Sequence, residues 1–432
     1  MPLRKHFAHT KLTSVLTVAL YLPSALRTIV PFRMTTSLLV VAALPLLSCG
    51  PAPVPDEPVG EISAPQTRPP DGLLGNPVLQ EVVDLQVARD GGGLIGFLRS
   101  EDPVVRARAA YALASVQDPE AGSTLTALLS DPSAEVRRDA SFALGQLNDP
   151  IYGPAILGAL RDEIDPAVRG RLLEALGKAG DSRVLESLIQ LELPEEEEAA
   201  RNLAVARMGL NGITLPTSME YLISALKTET GDARVNAGYY FGRNPDAAPW
   251  VGYSNSVRAV LDSLPPSDPT AMHLLLGISA LGDPGDNSRL LHWLKSSPDW
   301  RVRANAARGM TGRTNDLRIR EGLMDALKDP STHVAFSAAN VLAGVQELPA
   351  KERDDLMSWV EKNPRDWRRI GPILALLGRM GQGQFLEGWI NIWSEDDVLP
   401  RTRGLGAMAF VPSPEATGYL MEAAASSQPR IR

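Results

Sequence analysis

Apolar residues occur along the chain in repeated groups whose internal spacing is that of one face of a helix. In one block, Val105, Ala109, Ala112 and Leu113 share one side of a helix, because residues three, four and seven positions apart lie on the same face. Later blocks repeat this set as Val136, Ala140, Ala143 and Leu144, then as Val168, Leu172, Ala175 and Leu176. The valines of the three blocks are 31 and 32 residues apart. A period of this length, sustained over most of the chain, predicts a solenoid of stacked helical units.

A shorter apolar stretch precedes each block, so every unit predicts two helices joined by a turn. Four turns contain an Asp-Pro pair whose aspartate suits the N-cap of the second helix and whose proline suits its first position. The four aspartates are Asp102, Asp131, Asp165 and Asp329. Gly145 and Gly177 lie near the ends of two second helices and are predicted to cap them.

The shared pattern D-P-x-x-x-V-R-x-x-A-A-x-A-L-G resembles the HEAT repeat, including the bacterial HEAT-like variety seen in phycobilisome lyases. The resemblance covers roughly residues 90–432 and is weakest around 235–285. It implies an all-α fold: a right-handed, armadillo-like α-solenoid of about ten helical hairpins over residues 77–432. Each hairpin leaves an apolar face open, and stacking closes these faces into one core.

An arginine follows the valine position in most units and is expected to serve the fold. The set is Arg106, Arg137, Arg169, Arg201, Arg303, Arg368 and Arg403. Because it recurs once per unit, this arginine is predicted to pair with a turn aspartate of the same or the adjacent unit. Trp293 and Trp393 fall at positions of the repeat that are core positions in other units, so they are predicted to be buried. Trp250 lies in a proline-flanked loop, and the repeat pattern does not predict whether it is buried.

Composition limits the chemistry of the chain. Hydrophobic residues make up 44% and charged residues 22%, which excludes a disordered, collagen-like or polytopic membrane protein. A single cysteine excludes an internal disulfide framework and any multi-cysteine zinc or iron–sulfur site. The five histidines have no metal-ligand spacing, so we expect no metal and no cofactor.

The first 48 residues predict a signal peptide. The apolar residues 38–47 are too few to span a bilayer, which takes about 20 helical residues, but they have the length of a signal-peptide core. The segment Leu46-Leu47-Ser48-Cys49-Gly50 resembles the lipobox of bacterial lipoproteins. The resemblance implies cleavage before Cys49 and attachment of diacylglycerol to its sulfur. The alternative is a plain buried cysteine. Translation starts at Met1 or at Met34.

Residues 49–76 predict a tether between the lipid and the solenoid. Seven prolines lie between Pro51 and Pro70, and such a segment is extended and cannot bury a core. The protein is therefore expected to be exported and held at the cell envelope by its N-terminal lipid. If the cell has two membranes, Gly50 favours the periplasmic face of the outer one, because it is not the aspartate that favours inner-membrane retention.

The charge of the chain argues against a nucleic-acid partner. The net charge is −8, and the first 48 residues contain five basic and no acidic residues, so the mature chain carries −13. A phosphate backbone repels a body this acidic.

The exposed side of the second helices is the surface left for a protein partner. If Ala109 faces the core, Tyr111 points about 200° away from it at about 100° per residue. The equivalent positions are Phe142, Glu174, Arg308 and Asn340. In HEAT folds this side lines the concave surface. Tyr111 and Phe142 either anchor a partner there or pack between repeats.

The sequence shows no catalytic constellation, because it has no Gly-x-Ser-x-Gly, His-Glu-x-x-His or cysteine–histidine arrangement. It predicts an envelope-anchored scaffold that binds a protein of unknown identity and has no catalytic activity of its own. One alternative resembles bacterial proteins in which such repeats continue into a cyclophilin-type peptidyl-prolyl isomerase. A second alternative is a phycobilisome-lyase-like protein, against which export and acylation argue.

The C-terminal residues predict that the solenoid continues. In phase with the other units, Pro429 falls at a turn and Ile431-Arg432 at the start of a second helix. The preceding helix, with Leu420 and Met421 on its inward side, would otherwise leave an apolar stripe in water. We therefore expect a further helix after Arg432, which is also where the cyclophilin domain of the first alternative would lie.

Overall fold

The computed structural model describes residues 75–426, apart from positions 245, 346, 395 and 412. The predicted signal peptide, Cys49, nearly all of the predicted tether and Ile431-Arg432 lie outside the described residues. Within them the chain forms 22 α-helices and no β-strand, and no helix among them is long and apolar enough to cross a bilayer. The prediction of an all-α repeat fold is confirmed.

The helices alternate between two positions in the repeat. The first helices are α2 (Gly91–Phe97), α4 (Gly122–Ala127), α6 (Gly153–Asp162), α8 (Ser182–Gln190), α10 (Pro216–Thr228), α12 (Ser254–Ser263), α14 (Asn287–Ser296), α16 (Leu317–Ala326), α18 (Ala350–Lys362), α20 (Gly383–Asn391) and α22 (Pro414–Ala424). The second helices are α1 (Pro77–Ala88), α3 (Pro103–Val116), α5 (Ala134–Leu147), α7 (Pro166–Ala179), α9 (Glu198–Leu210), α11 (Gly231–Arg243), α13 (Ala271–Ala280), α15 (Trp300–Arg308), α17 (Thr332–Leu342), α19 (Trp367–Arg379) and α21 (Val398–Met408). Ten complete hairpins therefore run from α2 to α21 in the described residues, as the period predicts.

Each second helix packs against the second helix of the next repeat, and small residues set how closely they approach. Gly145 and Gly177 lie inside α5 and α7, so the prediction that they cap these helices is wrong. A Cβ atom on Gly145 would lie 2.9 Å from the Cα of Ala175, and one on Gly177 would lie 2.8 Å from the Cα of Ala204. The two glycines are there because the neighbouring backbone leaves no room for a side chain.

The turn aspartates divide into two kinds. Asp102 and Asp165 cap α3 and α7, each accepting a backbone N–H of the first turn with proline at the next position, as predicted. Asp131 and Asp329 do not cap a helix, because α5 and α17 begin three residues after them and have Ser133 and Ser331 at the N-cap. The cause lies in the turn length: the valine follows three residues after a capping aspartate but five residues after Asp131 or Asp329.

The longer spacing gives the aspartate a different partner. Arg106 donates from Nε and Nη2 to the carboxylate of Asp131 in the next repeat, at 2.8 and 3.0 Å. Arg303 binds Asp329 in the same way, with both distances at 2.8 Å. The Nη1 atom of Arg106 donates to the carbonyl oxygens of Ser100 and Glu101 in its own turn. This arginine therefore holds its own turn and the next repeat together.

The predicted pairing with a turn aspartate holds for Arg106 and Arg303 of the seven arginines. Arg137 and Arg169 bind glutamates of the next repeat, Glu163 and Glu197, where an aspartate is predicted. Arg201 binds Glu198 of its own helix. Arg368 and Arg403 have no carboxylate within 4.0 Å among the described residues, so the series ends before α19.

The tryptophans belong to the packing of the repeats. Trp293 is 3% exposed, and Trp393 is half-buried against the core. Trp250, which phase does not assign, is fully buried with its ring edge-to-face against Phe241. In α22, Met421 is 70% exposed, so the prediction that it faces inward is wrong.

Candidate protein-interaction surface

Two aromatic rings of consecutive repeats stack on the exposed side of the second helices. Tyr111 and Phe142 are each the ninth residue of their helices, α3 and α5. Their ring centroids are 5.9 Å apart and the ring planes are inclined by 27°. Tyr111 is 50% exposed, whereas Phe142 is partly buried and contacts the core. The structure thus brings the predicted pair together without burying it.

Three cationic side chains lie over these two rings. The guanidinium of Arg108 is 5.7 Å from the centre of the Tyr111 ring. Arg171 and Lys178, both from α7, lie 5.0 and 5.7 Å from the centre of the Phe142 ring. Such contacts stabilise by about 0.5–1 kcal/mol at an exposed site, and they orient the charged groups.

Glu174, a third predicted residue, binds two of these cations. It accepts hydrogen bonds from Arg171 at 2.6 Å and from Lys178 at 3.0 Å. Burial alone would raise the pKa of Glu174, but the hydrogen bonds from Lys178 and Arg171 outweigh burial and lower it. Together these six residues form one continuous surface, which we call the aromatic–cation strip: Arg108, Tyr111, Phe142, Arg171, Glu174 and Lys178.

Arg108 retains an unused hydrogen-bond donor. Its Nη2 donates to the side-chain oxygen of Gln86 at 2.5 Å, whereas its Nη1 is buried with no partner among the described residues. Burial lowers the pKa of Arg108, and this effect outweighs the opposing effects of Tyr111 and Asp139, which would raise the pKa. The guanidinium is therefore a desolvated cation whose hydrogen bonds are incomplete.

The other two predicted positions lie apart from the strip. Arg308 is exposed on α15, and its Nη1 donates to the Oδ1 of Asn305 at 3.0 Å. Asn340 on α17 accepts a hydrogen bond from Arg379 at 2.8 Å. Arg379 in turn lies over the ring of Phe410, 4.6 Å from its centre. The structure therefore splits the five predicted residues into a group of three and two separate positions.

Sequence reasoning missed the cations of the strip and one further aromatic residue. Arg108 is three residues before Tyr111, and Arg171 and Lys178 are three before and four after Glu174, which is the spacing that places side chains on one helical face. Tyr239 is the ninth residue of α11, and its ring contacts His273 edge-to-face and Arg243. Because the repeat pattern is weak around residues 235–285, the sequence does not show that Tyr239 is equivalent to Tyr111 and Phe142.

The described residues offer little for catalysis or metal binding. No group of three histidine, cysteine, aspartate or glutamate residues there can hold a metal ion. Ser296 and His292 approach to 3.3 Å on the exposed side of α14, beside a groove of about 480 Å³ that Asp262 and Arg289 also line. In the part of the chain that the structure describes, Asp262 pairs with Arg289 rather than with His292, so no charge-relay arrangement forms.

Comparison with known proteins relates part of the array to a known repeat family. The family model described as HEAT repeats matches residues 93–169, 123–209 and 287–377. These segments are HEAT repeats. Every residue of the aromatic–cation strip lies within the first two matches, and Arg308 and Asn340 lie within the third.

Two solved structures of engineered proteins are similar to the chain. The first is 17% identical, with a TM-score of 0.31, and the alignment covers 79% of this chain and 96% of that one. The second is 18% identical, with a TM-score of 0.28, and the alignment covers 54% of this chain and 97% of that one. No curated protein matches the chain.

Proposed function

We propose that this HEAT-repeat chain is a scaffold that binds a protein partner on the aromatic–cation strip. The observation that carries the proposal is the stack of Tyr111 on Phe142, which leaves half of the tyrosine in solvent at the surface of two consecutive repeats. Aromatic and arginine side chains dominate the binding energy of protein interfaces. Stacked repeats also provide an extended binding surface.

The proposal is tested by capturing partners on purified protein from detergent-solubilised envelopes. The double variant Tyr111→Ala and Phe142→Ala is expected to lose the captured protein and keep its fold, measured by circular dichroism. Ile151→Ala is the matched control, because Ile151 is 72% exposed but lies outside the second helices. Equal capture by the double variant and the control would show that the strip is not the binding surface.

We further propose that a lipid on Cys49 holds the scaffold at the cell envelope. The support is the lipobox-like sequence before Cys49 and the proline-rich segment after it. Several acyl chains on one residue anchor a protein firmly, whereas one chain is marginal. Cys49→Ser is expected to move the protein from the membrane fraction to the soluble fraction. An unchanged distribution would place the anchor elsewhere.

The two alternatives from the sequence remain predictions. No contact in the described residues favours a peptidyl-prolyl isomerase or a phycobilisome lyase over a scaffold.

A further inference from the structure

The second helices carry an excess of positive charge that the rest of the chain does not share. Together the eleven second helices contain 19 arginine and lysine residues against 7 aspartates and glutamates. The eleven first helices contain 11 against 13, and the whole chain has a net charge of −8. The positive charge is therefore concentrated on the row of helices that carries the aromatic–cation strip.

Part of this charge is already neutralised within the fold. Arg106, Arg137 and Arg303 bind carboxylates of the next repeat, as described above. Seven arginines of the second helices have no carboxylate within 4.0 Å among the described residues: Arg108, Arg207, Arg243, Arg308, Arg368, Arg379 and Arg403. No internal ion pair neutralises these groups.

The strip itself shows which chemistry its cations accept. Glu174 lies between Arg171 and Lys178 and satisfies both of them with a carboxylate, beside the Phe142 ring. One repeat earlier, the partly exposed Arg108 lies over Tyr111 and has no carboxylate within 4.0 Å among the described residues. Arginine binds a carboxylate through parallel hydrogen bonds, and these are stronger than bonds between neutral groups. The internal glutamate therefore occupies the position that a carboxylate of a partner would take.

We infer that the partner segment bound by the strip is acidic, with aspartate or glutamate side chains that bind Arg108, Arg171 and Lys178 and an apolar side chain that packs on Tyr111 and Phe142. This inference rests on the proposed function. The carboxylates of the partner compete with Glu174 for its two cations. Binding is accordingly weakened by salt, because exposed charges are screened.

The test uses a fluorescein-labelled peptide in which glutamate and phenylalanine alternate, and a second peptide with lysine in place of every glutamate. Fluorescence anisotropy with the full chain in detergent is expected to show binding of the acidic peptide alone. The double variant Arg108→Glu and Arg171→Glu is expected to bind the acidic peptide at least about tenfold more weakly, because it removes charged hydrogen bonds and adds like charges. Arg161→Glu on α6 is the matched control, because that exposed arginine belongs to a first helix.

A gain in binding is expected for Glu174→Gln, and a folding defect cannot produce a gain. Removing the internal carboxylate frees both cations, so this variant is expected to bind the acidic peptide several-fold more tightly.

Equal binding of the two peptides, no binding of the acidic peptide, or weaker binding by Glu174→Gln overturns the inference. Binding to phosphatidylglycerol vesicles but not to the acidic peptide also overturns it and assigns the face to a membrane. If the double variant Tyr111→Ala and Phe142→Ala loses partner capture but the acidic peptide does not bind, the proposed function is supported and only the inference of an acidic partner is wrong.

Discussion

Arg137 donates two parallel hydrogen bonds to Glu163, from Nε at 2.6 Å and from Nη2 at 2.9 Å, across the boundary between two repeats. The glutamate is 4% exposed and the arginine 17% at their side chains. Glu163 also accepts the backbone N–H groups of Ile164 and Asp165. One carboxylate therefore orders the turn of its own repeat and holds the arginine of the repeat before it.

Replacing Arg137 by methionine is expected to destabilise the fold by about 2–4 kcal/mol, because Glu163 is left buried without its cation. Urea unfolding followed by circular dichroism measures the change. Glu347→Gln is the control: its partner is Arg353, but Glu347 is 77% exposed, and exposed pairs contribute about 0–1 kcal/mol. Similar losses for the two variants would contradict the structural role of the Arg137–Glu163 pair.

The same pair makes stability depend on pH in acid. The hydrogen bond from Arg137 lowers the pKa of Glu163 below its ordinary value of 4.5. The stabilisation is complete above the pKa of the unfolded chain and is lost as the pH falls through the lower pKa of the folded state. The difference in unfolding free energy between the wild type and Arg137→Met is therefore expected to narrow below about pH 4.5. A constant difference down to pH 2 would argue that the pair acts through packing alone.

His273 contributes a second pH dependence, at higher pH. Burial in α13, together with the charge of Arg243, lowers its pKa from 6.5 to about 4. Between these two values the unfolded chain takes up a proton that the folded chain does not, so stability falls as the pH falls. The total loss attributable to His273 is roughly 3 kcal/mol. His273→Gln is expected to reduce the dependence of the melting temperature on pH between pH 6.5 and 4. An unchanged dependence on pH would contradict this prediction.

Glycines within α7 are expected to respond in opposite directions to alanine. Gly177→Ala places a Cβ 2.8 Å from the backbone of α9, so the two helices must separate and the protein loses stability. Gly170→Ala meets nothing within 4 Å and gains up to about 1 kcal/mol from the higher helix propensity of alanine. Thermal melting of both variants measures the contrast. The assignment of Gly177 to a close helix contact fails if both variants are stabilised.

The two aromatic residues of the strip are expected to differ in their effect on stability. Phe142 contacts the core, so Phe142→Ala removes buried surface, whereas Tyr111 is 50% exposed and mainly loses the ring stack. We expect Tyr111→Ala to cost no more than about 1.5 kcal/mol and Phe142→Ala to cost more. Urea midpoints of the two single variants compare them. The reverse order would show that Tyr111 is the residue packed between the repeats.

The sequence predicts the repeat and the equivalent positions of Tyr111 and Phe142 on consecutive second helices, because both follow from helical phase. It predicts the caps at Asp102 and Asp165, where the valine follows after three residues. It does not separate them from Asp131 and Asp329, because the spacing of five residues changes the partner of the aspartate without changing the Asp-Pro motif.

Contacts between repeats are the part that a single sequence leaves open. Glu163 is not in an Asp-Pro pair, so nothing local marks it as the acceptor of Arg137, 26 residues earlier. Arg171 likewise lies over Phe142 only because α5 and α7 pack side by side. Such pairings depend on the offset between neighbouring helices, which is a property of the stack and not of one helix.

The pairing of each arginine with the following repeat has a consequence for how such a chain grows. A repeat of about 32 residues that includes Glu163 and Arg169 contains both an acceptor for the repeat before it and a donor for the repeat after it. A tandem duplication of that segment inserts a unit whose carboxylate can pair with the arginine of the repeat before it and whose arginine can pair with the carboxylate of the repeat after it. Gene duplication can therefore lengthen the array one unit at a time, with no compensating mutation at the new junctions.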